Sequence, residues 1–91
     1  MEFIISENEI YLVDEEGNKL AYVKFPSVDE NTVMVTTTYV SDVLRGQGVA
    51  GKLMNALYDE LNKTNKKVIL KCSYAVSWFE KNTDKQNVIA K

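Results

Sequence analysis

The first half of the chain alternates between apolar and polar positions in a way that predicts β-strands. Short apolar runs occupy Phe3–Ile5 and Ile10–Val13, and the polar turn Asp14–Asn18 follows them. Gly17 in this turn can take the positive φ that hairpin loops require. Leu20–Phe25 then alternates with period two, so we expect it to return antiparallel to the run before it.

The next segment holds the clearest strand of the chain. Pro26 ends the preceding strand, and Ser27–Asn31 is predicted to be a loop. Thr32–Val40 is dense in β-branched residues, which pack well on a pleated surface. The pattern predicts one continuous strand over this stretch.

The second half of the chain changes to helical periodicity. Five apolar positions recur at a spacing that predicts an amphipathic helix: Val49, Leu53, Met54, Leu57 and Leu61. Val68–Lys71 is predicted to be a buried strand, and Ser73 is a candidate cap for a second helix that runs to about Asn82. The pattern assigns no element to Thr83–Lys91.

The predicted element order is therefore β-β-β-β-α-β-α. This order indicates an α+β fold with a mostly antiparallel sheet. The unit Thr32–Cys72 is a β-α-β crossover, and crossovers of this kind join parallel strands.

Composition narrows the class of protein. A chain of 91 residues that is 45% hydrophobic can form one domain around one core. The formal charge of −2 argues against a nucleic-acid binder, which needs a basic face. Without histidine, neither a Ser-His-Asp triad nor an imidazole metal site can form, and we expect no bound metal.

The cysteine content and the N-terminus bear on the compartment. Cys72 is the only cysteine, so an internal disulfide is excluded, and a small domain without disulfides is typical of a reducing cytoplasm. No apolar run approaches the ~20 residues of a membrane-spanning helix. The start Met1-Glu2-Phe3 lacks the basic residues that open a signal peptide. We therefore expect a cytoplasmic protein that does not bind membranes.

A glycine cluster marks the first candidate site. Gly46, Gly48 and Gly51 fall within six residues, between the long strand and the predicted helix. The first N–H groups of a helix have no partner within it, and together with the helix dipole they favour an anion. Arg45 is the only arginine and stands at the start of this loop. The segment predicts a phosphate or pyrophosphate site.

Two nucleotide-binding motifs match this loop incompletely. The glycines fit the dinucleotide pattern G-x-G-x-x-G, but Ser41–Arg45 separates them from the strand that they should follow at once. The strand after the helix also ends without the acidic residue that this pattern needs. The P-loop pattern fails because Leu53 follows Lys52, where a magnesium-binding serine or threonine is required. A plain tight turn, with Arg45 paired to a carboxylate, remains the simplest alternative.

A third pattern carries a family resemblance. The residues Arg45-x-x-Gly48-x-Ala50 resemble the pyrophosphate-binding signature of the GNAT superfamily of acetyltransferases. Downstream, Cys72–Ala75 followed by Trp78–Asn82 resembles the stretch after the superfamily's second crossover strand. The chain is similar to a short, single-domain GNAT-like subfamily, the YjdJ-like group. The resemblance spans most of the chain and is best over residues 32–82.

The resemblance implies a truncated GNAT (acyl-CoA N-acyltransferase) fold with one minimal domain over residues 1–91. It implies an N-acetyltransferase that uses acetyl-CoA as its co-substrate and transfers the acetyl group to an amine. The acceptor is not identified, and a protein lysine or N-terminus is one candidate. We expect a monomer. The residues expected to bind acetyl-CoA are Thr38, Tyr39, Val40, Arg45, Gly46, Gln47, Gly48, Val49, Ala50, Gly51 and Lys52.

Two residues are candidates for the chemistry. Cys72 should lie at a strand end before a helix, where amide dipoles lower the pKa of a thiol. It could accept the acetyl group, line the site without reacting, or be an inert core residue. Tyr74 could protonate the departing thiolate, or pack at the surface. The sequence departs from the superfamily at Phe79, where a tyrosine is frequent, and at Thr37-Thr38, where the short subfamily often has histidine and threonine.

The acceptor half of the superfamily's fold is reduced in this chain. Only Ser6–Glu9 separates the first two strands, where typical members have two helices. Little chain remains after the second crossover helix, where they have two more strands. Two other functions therefore stay open. One is a module that binds CoA without turnover, and the other is a small interaction domain whose glycine loop is only a turn.

Overall fold

A computed structural model describes residues 3–44 and 46–90. The elements are β1 (Ile4–Ile5), β2 (Glu9–Val13), β3 (Lys19–Lys24), β4 (Ser27–Asp29), β5 (Thr32–Val35), β6 (Thr37–Val40), α1 (Val49–Thr64), β7 (Lys67–Leu70) and α2 (Ser73–Lys81). Two short 3₁₀ helices lie at Asp42–Leu44 and Thr83–Val88. No helix within residues 3–44 and 46–90 is long and apolar enough to span a bilayer.

The strands form two sheets. One has the order β1-β2-β3-β6 and is antiparallel throughout, and the other has the order β4-β5-β7. In the second sheet β5 and β7 run parallel, with Val33 opposite Val68 and Val35 opposite Leu70. The α+β class, the mostly antiparallel pairing and the parallel β-α-β crossover are thus confirmed.

The prediction of one continuous strand over Thr32–Val40 is wrong, because the strand is interrupted at Thr36. The backbone N–H of Thr36 donates to the carbonyl oxygen of Lys24 at 3.1 Å, while Thr37 is the register partner of the same Lys24. Two residues therefore oppose one, which is a β-bulge. The bulge passes the chain from the second sheet to the first.

The prediction of a loop over Ser27–Asn31 is also wrong in part. Ser27–Asp29 forms β4, which pairs antiparallel with β5 across a tight turn. The N–H of Asn31 donates to the Asp29 carboxylate at 2.8 Å within this turn. The exposed pattern of β4 explains why no hydrophobic alternation revealed it, since none of its residues is buried.

The core lies between the antiparallel sheet and α1. The five apolar positions predicted to form one helix face are all buried, which confirms that face. Opposite them lie the inward side chains of the strands, among them Ile10, Ala21 and Val23, which are fully buried. Burying a leucine or a valine stabilises the fold by roughly 1.5–3 kcal/mol, so each of these side chains contributes appreciably to stability.

The C-terminal part, to which the sequence assigned no element, closes the other side of the core. Val88 at the end of the second 3₁₀ helix is buried, and Ile89 forms a parallel bridge with Val68. The N–H of Ala90 donates to the carbonyl oxygen of Val68 at 2.8 Å. Helix α2 stops just before Asn82, whose amide donates to the Trp78 carbonyl oxygen at 2.8 Å.

Candidate functional site

The β-bulge creates an opening between the two sheets. Strands β5 and β7 stay hydrogen-bonded as far as Lys71, whose N–H donates to the Val35 carbonyl oxygen at 3.0 Å. Beyond this point β6 continues along β3, while the chain after β7 turns into α2. Among the described residues β6 pairs only with β3, so its other edge faces the opening with no strand paired to it.

The glycine loop lies at the end of this opening, where α1 begins. Gly48 is the N-cap residue, in a left-handed conformation with φ 69° and ψ 24°, and Gly46 has φ 81°. A Cβ added at either position would meet nothing within 4 Å, so both glycines serve the backbone conformation and not close packing. With no side chain on Gly48 to cap the helix, its first N–H groups are open to an anion.

Gly51 differs from the other two glycines. It lies inside α1, where an added Cβ would be 3.6 Å from Nε1 of Trp78 and 4.0 Å from Oη of Tyr74. Its small size lets α2 approach the first turns of α1. Arg45, which the sequence predicts at the mouth of the loop, lies outside the described residues.

The predicted ligand-binding residues divide between two faces of β6. Thr38 and Val40 are half-buried on the side of α1, because their register partners Val23 and Ala21 are core residues. Tyr39 points to the opposite face and stacks on Tyr22, with 5.3 Å between ring centroids. Neither its side chain nor its backbone groups face the opening, because Ser41 and, two residues before it, Tyr39 direct their N–H groups to β3. The backbone groups on the open edge of β6 therefore belong to Thr38 and Val40.

The residues at the start of α1 are placed as follows. Gln47 and Lys52 are exposed, and Ala50 is half-buried. The side chain of Val49 is buried in the core. Val49 can therefore offer a ligand its N–H but not its side chain. The backbone N–H of Lys52 donates the first hydrogen bond of the helix, to the carbonyl oxygen of Gly48 at 3.1 Å.

Cys72 lies across the opening from β6. It is half-buried and is the N-cap residue of α2. Its Sγ lies 3.5 Å from Oγ1 of Thr38. The hydroxyl accepts a hydrogen bond from the thiol, and it can donate a hydrogen bond to the thiolate. Burial raises the pKa of the thiol, but hydrogen bonds from the Thr38 hydroxyl and from the backbone N–H groups of Ala75, Tyr74 and Thr38 outweigh it. The pKa of Cys72 is therefore lowered.

Tyr74 lies on the other side of the first turn of α2. Its hydroxyl borders Gly51, and burial raises the pKa of this phenol above its usual range. Tyr74 therefore stays protonated at neutral pH and can act as a hydrogen-bond donor. The structure thus brings Cys72 together with Thr38, and Tyr74 together with the start of α1.

Neither the bulge at Thr36 nor the contact between Thr38 and Cys72 was predicted from the sequence. A signal for the bulge exists in the pattern itself. The valines of this stretch occupy odd positions at Val33 and Val35 and an even position at Val40. A strand keeps one phase unless an extra residue is inserted, so the change of phase within a run of threonines marks a bulge.

Within residues 3–44 and 46–90, no group of three or more His, Cys, Asp or Glu side chains could hold a metal ion. The described site therefore consists of backbone N–H groups, one thiol and hydroxyl groups. This set of donors fits an anionic ligand with an extended amide chain, such as CoA, since the helix start takes phosphates and the free strand edge takes amides.

Comparison with solved structures finds the same fold in acetyltransferases. A GCN5-like candidate N-acetyltransferase from Staphylococcus aureus superimposes with a TM-score of 0.80 at 38% identity, covering 98% of this chain and 87% of that one. The GNAT family N-acetyltransferase YhbS from Escherichia coli, in complex with CoA, gives a TM-score of 0.57 at 29% identity over 66% of this chain. GCN5 from Tetrahymena shares the fold, with a TM-score of 0.65 at 16% identity over 91% of this chain.

The larger relatives differ from this chain in length. The chain spans 37% of YhbS and 59% of Tetrahymena GCN5, but 87% of the Staphylococcus aureus protein. A comparison with curated proteins finds no match. The family model of the GCN5-related N-acetyl-transferases matches residues 9–88, which include every described part of the site. The chain therefore belongs to the GCN5-related N-acetyltransferase family.

Proposed function

We propose that the protein binds acetyl-CoA in the opening between β6 and Cys72 and transfers the acetyl group to an amine. The observation that carries this proposal is the opening itself, which joins a helix start suited to an anion with a free strand edge. A pyrophosphate would bind the N–H groups of α1, with Gly46 and Gly48 leaving room for it. The amides of the pantetheine arm would pair with the β6 backbone at Thr38–Val40 in the manner of an added strand.

In the direct route the amine attacks the thioester carbonyl. The carbon–sulfur bond of acetyl-CoA breaks, the amine loses a proton, and the departing thiolate takes one up. A backbone N–H on the free edge of β6 would stabilise the oxyanion. Tyr74 is the candidate donor to the thiolate, because burial raises the pKa of its phenol and the phenol stays protonated.

A second route passes through Cys72. Its thiolate, favoured by Thr38 and the start of α2, would attack the acetyl carbonyl and release CoA. The acetyl group would then form a thioester with Sγ, and the amine would attack this second thioester and restore the thiol. The two routes differ in whether an acetylated Cys72 ever forms.

A module that binds CoA without turnover is the second candidate function. It is favoured by Phe79, which is fully buried and has no hydroxyl, at the position where the superfamily often has a tyrosine. The groups that favour the thiolate of Cys72 are themselves neutral, so none of them is a strong base. Turnover with any amine would separate the enzyme from the module.

The decisive experiment is a calorimetric titration with CoA and acetyl-CoA, with ATP and NAD as controls. Binding of the CoA pair alone supports the proposal. An equal response to ATP would indicate a general phosphate site, and no binding of any of the four would leave the glycine loop as a turn. The proposal includes a single domain over residues 1–91 that acts in the cytoplasm as a monomer, which size-exclusion chromatography with light scattering can test.

A further inference from the structure

A groove of about 560 Å³ lies on the face of the antiparallel sheet that α1 does not cover. Its walls are the turn Ser6–Glu9, the strand end at Lys24 and Pro26, and the bulge residue Thr36. We propose that this groove is the acceptor site and that it takes a diamine, one end of which binds as an ammonium group while the other end loses its proton and attacks the thioester. This inference rests on the proposed function, because it names the acceptor of the same reaction.

The register of the sheet places the groove opposite the helix. Glu9 pairs with Lys24, and Lys24 pairs with Thr37, so these three side chains share one face. The alternate positions Ile10 and Val23 are buried under α1. An acceptor in the groove would therefore approach from the face opposite the start of α1, where the phosphates are proposed to bind.

The bulge links the groove to the reacting centre. Thr36 follows Val35, whose carbonyl oxygen binds the N–H of Lys71, and precedes Thr38 by two residues. Thr38 in turn contacts the sulfur of Cys72. At about 3.3 Å per residue, the groove wall at Thr36 lies within about 7 Å of Thr38 along the strand. Of the groove walls, Thr36 is therefore the one closest along the chain to the opening.

The turn that forms one wall is held in place from both sides. The hydroxyl and the N–H of Ser6 both donate to the carbonyl oxygen of Glu9, at 2.9 Å each. The amide of Asn8 donates to the carbonyl oxygen of Phe25 at 3.0 Å and to the hydroxyl of Ser27 at 3.1 Å. A site that is already formed loses little free energy to ordering when a ligand binds.

The charges of the groove favour a cation at Glu7. Glu9 is engaged by Lys19, with 2.8 Å between Oε2 and Nζ, and Lys24 Nζ lies 5.2 Å from the centre of the Tyr22 ring. Glu7 is exposed, and within the described part of the chain its carboxylate has no hydrogen bond or ion pair. Of the two carboxylates in the wall, that of Glu7 is therefore the one that a lysine does not already engage, and a ligand ammonium can bind it.

The test is a titration of the isotope-labelled full chain with cadaverine, followed by NMR of the backbone amides. We expect saturable shifts at Ser6–Glu9, Lys24 and Thr36, and none with the neutral diol of the same chain length. Glu7→Gln should raise the Kd for cadaverine up to about fivefold, as expected for one exposed ion pair. Glu15→Gln, an exposed carboxylate in the β2–β3 turn, should leave the Kd unchanged.

The outcomes separate this inference from the proposed function. Shifts confined to other surfaces, or the same shifts with the diol, would overturn the groove as an amine site. An unchanged Kd in Glu7→Gln would overturn the role of Glu7. The titration contains no CoA, so a failure of CoA to bind would refute the proposed function alone. Where transfer occurs, Glu7→Gln should raise the KM for the diamine and leave kcat unchanged.

Discussion

The sulfur of Cys72 and the hydroxyl oxygen of Thr38 lie 3.5 Å apart, across the point where the two sheets separate. They are far apart in the sequence, and it is the bulge that brings them together. Because Thr36 and Thr37 both point away from α1, the next residue, Thr38, turns towards it. Without the extra residue the hydroxyl would lie on the opposite face of the sheet.

Removing this hydroxyl should make the thiol less reactive. Thr38→Val keeps the shape of the side chain but removes a donor that favours the thiolate, so the pKa of Cys72 should rise. We expect slower alkylation by iodoacetamide at neutral pH, and a rate profile shifted to higher pH. Mass spectrometry of the intact protein measures both.

Thr37→Val is the matched control for this change. Thr37 is exposed on the other face of the sheet, so its loss should leave the alkylation profile of Cys72 unchanged. Equal profiles for wild type and Thr38→Val would show that the hydroxyl does not tune the thiol.

The route through Cys72 predicts a covalent intermediate. If it operates, acetyl-CoA alone should add one acetyl group to the wild-type protein, and the addition should be absent from Cys72→Ala. An amine acceptor should then remove the group. In the direct route no adduct forms, and Cys72→Ala loses only what the side chain contributes to binding. Rapid-quench mass spectrometry, in parallel with the rate of CoA release, distinguishes the two.

Gly48 and Gly17 provide a matched pair for the phosphate site. Both have a positive φ, 69° and 86°, and an added Cβ would meet nothing within 4 Å at either position. Alanine in this conformation costs roughly 1–2 kcal/mol, so Gly48→Ala and Gly17→Ala should lower the free energy of unfolding by similar amounts. Only Gly48→Ala should weaken CoA binding, because Gly17 lies in the β2–β3 turn. Urea unfolding and calorimetry test the pair, and equal affinities would argue against the glycine loop.

Asp14, in the β2–β3 turn, makes the stability of the folded protein depend on pH. The N–H of Asn18 donates to its carboxylate at 2.9 Å, as does that of Glu16, and these bonds lower its pKa from the usual 3.8. The folded state therefore binds this proton less readily than the unfolded state. The stabilisation is present above the unfolded pKa and is lost as the pH falls through the folded value. Asp14→Ala should be less stable than wild type at neutral pH, and the difference should shrink in strong acid.

Sequence periodicity was sufficient to predict the helices and strands that bury one face. It did not reveal an element that buries no face. The five apolar positions of α1 are buried as predicted, since helical spacing leaves only one face for them. Strand β4 has three exposed residues and is held by its pairing with β5, so nothing in its composition distinguishes it from a loop. Pairing depends on residues elsewhere in the chain, which local patterns do not reveal.

The position of the glycine loop in the candidate site was predictable from the sequence. The orientation of the side chains around it was not. The glycines identified the start of α1, because a positive φ leaves few other choices there. Tyr39 and Val49 were predicted among the ligand-binding residues, and the structure adds that the side chain of Tyr39 faces the opposite surface while that of Val49 is buried in the core. Their orientation follows from the bulge and from the rotation of α1, which the tertiary packing sets.

Gly51 should behave differently from Gly48, although both belong to the same motif. It lies within α1 and its φ is not positive, so alanine removes backbone freedom from the unfolded chain without strain. The added Cβ would lie 3.6 Å from Trp78 Nε1, an ordinary contact distance. Gly51→Ala should therefore stabilise the protein by up to about 1 kcal/mol, the difference in helix propensity. Gly51→Leu should destabilise it, because a larger side chain would displace Trp78 and separate α2 from α1. Thermal unfolding of the two variants gives the signs, and a loss of stability in Gly51→Ala would mean that the two helices pack more closely than this contact indicates.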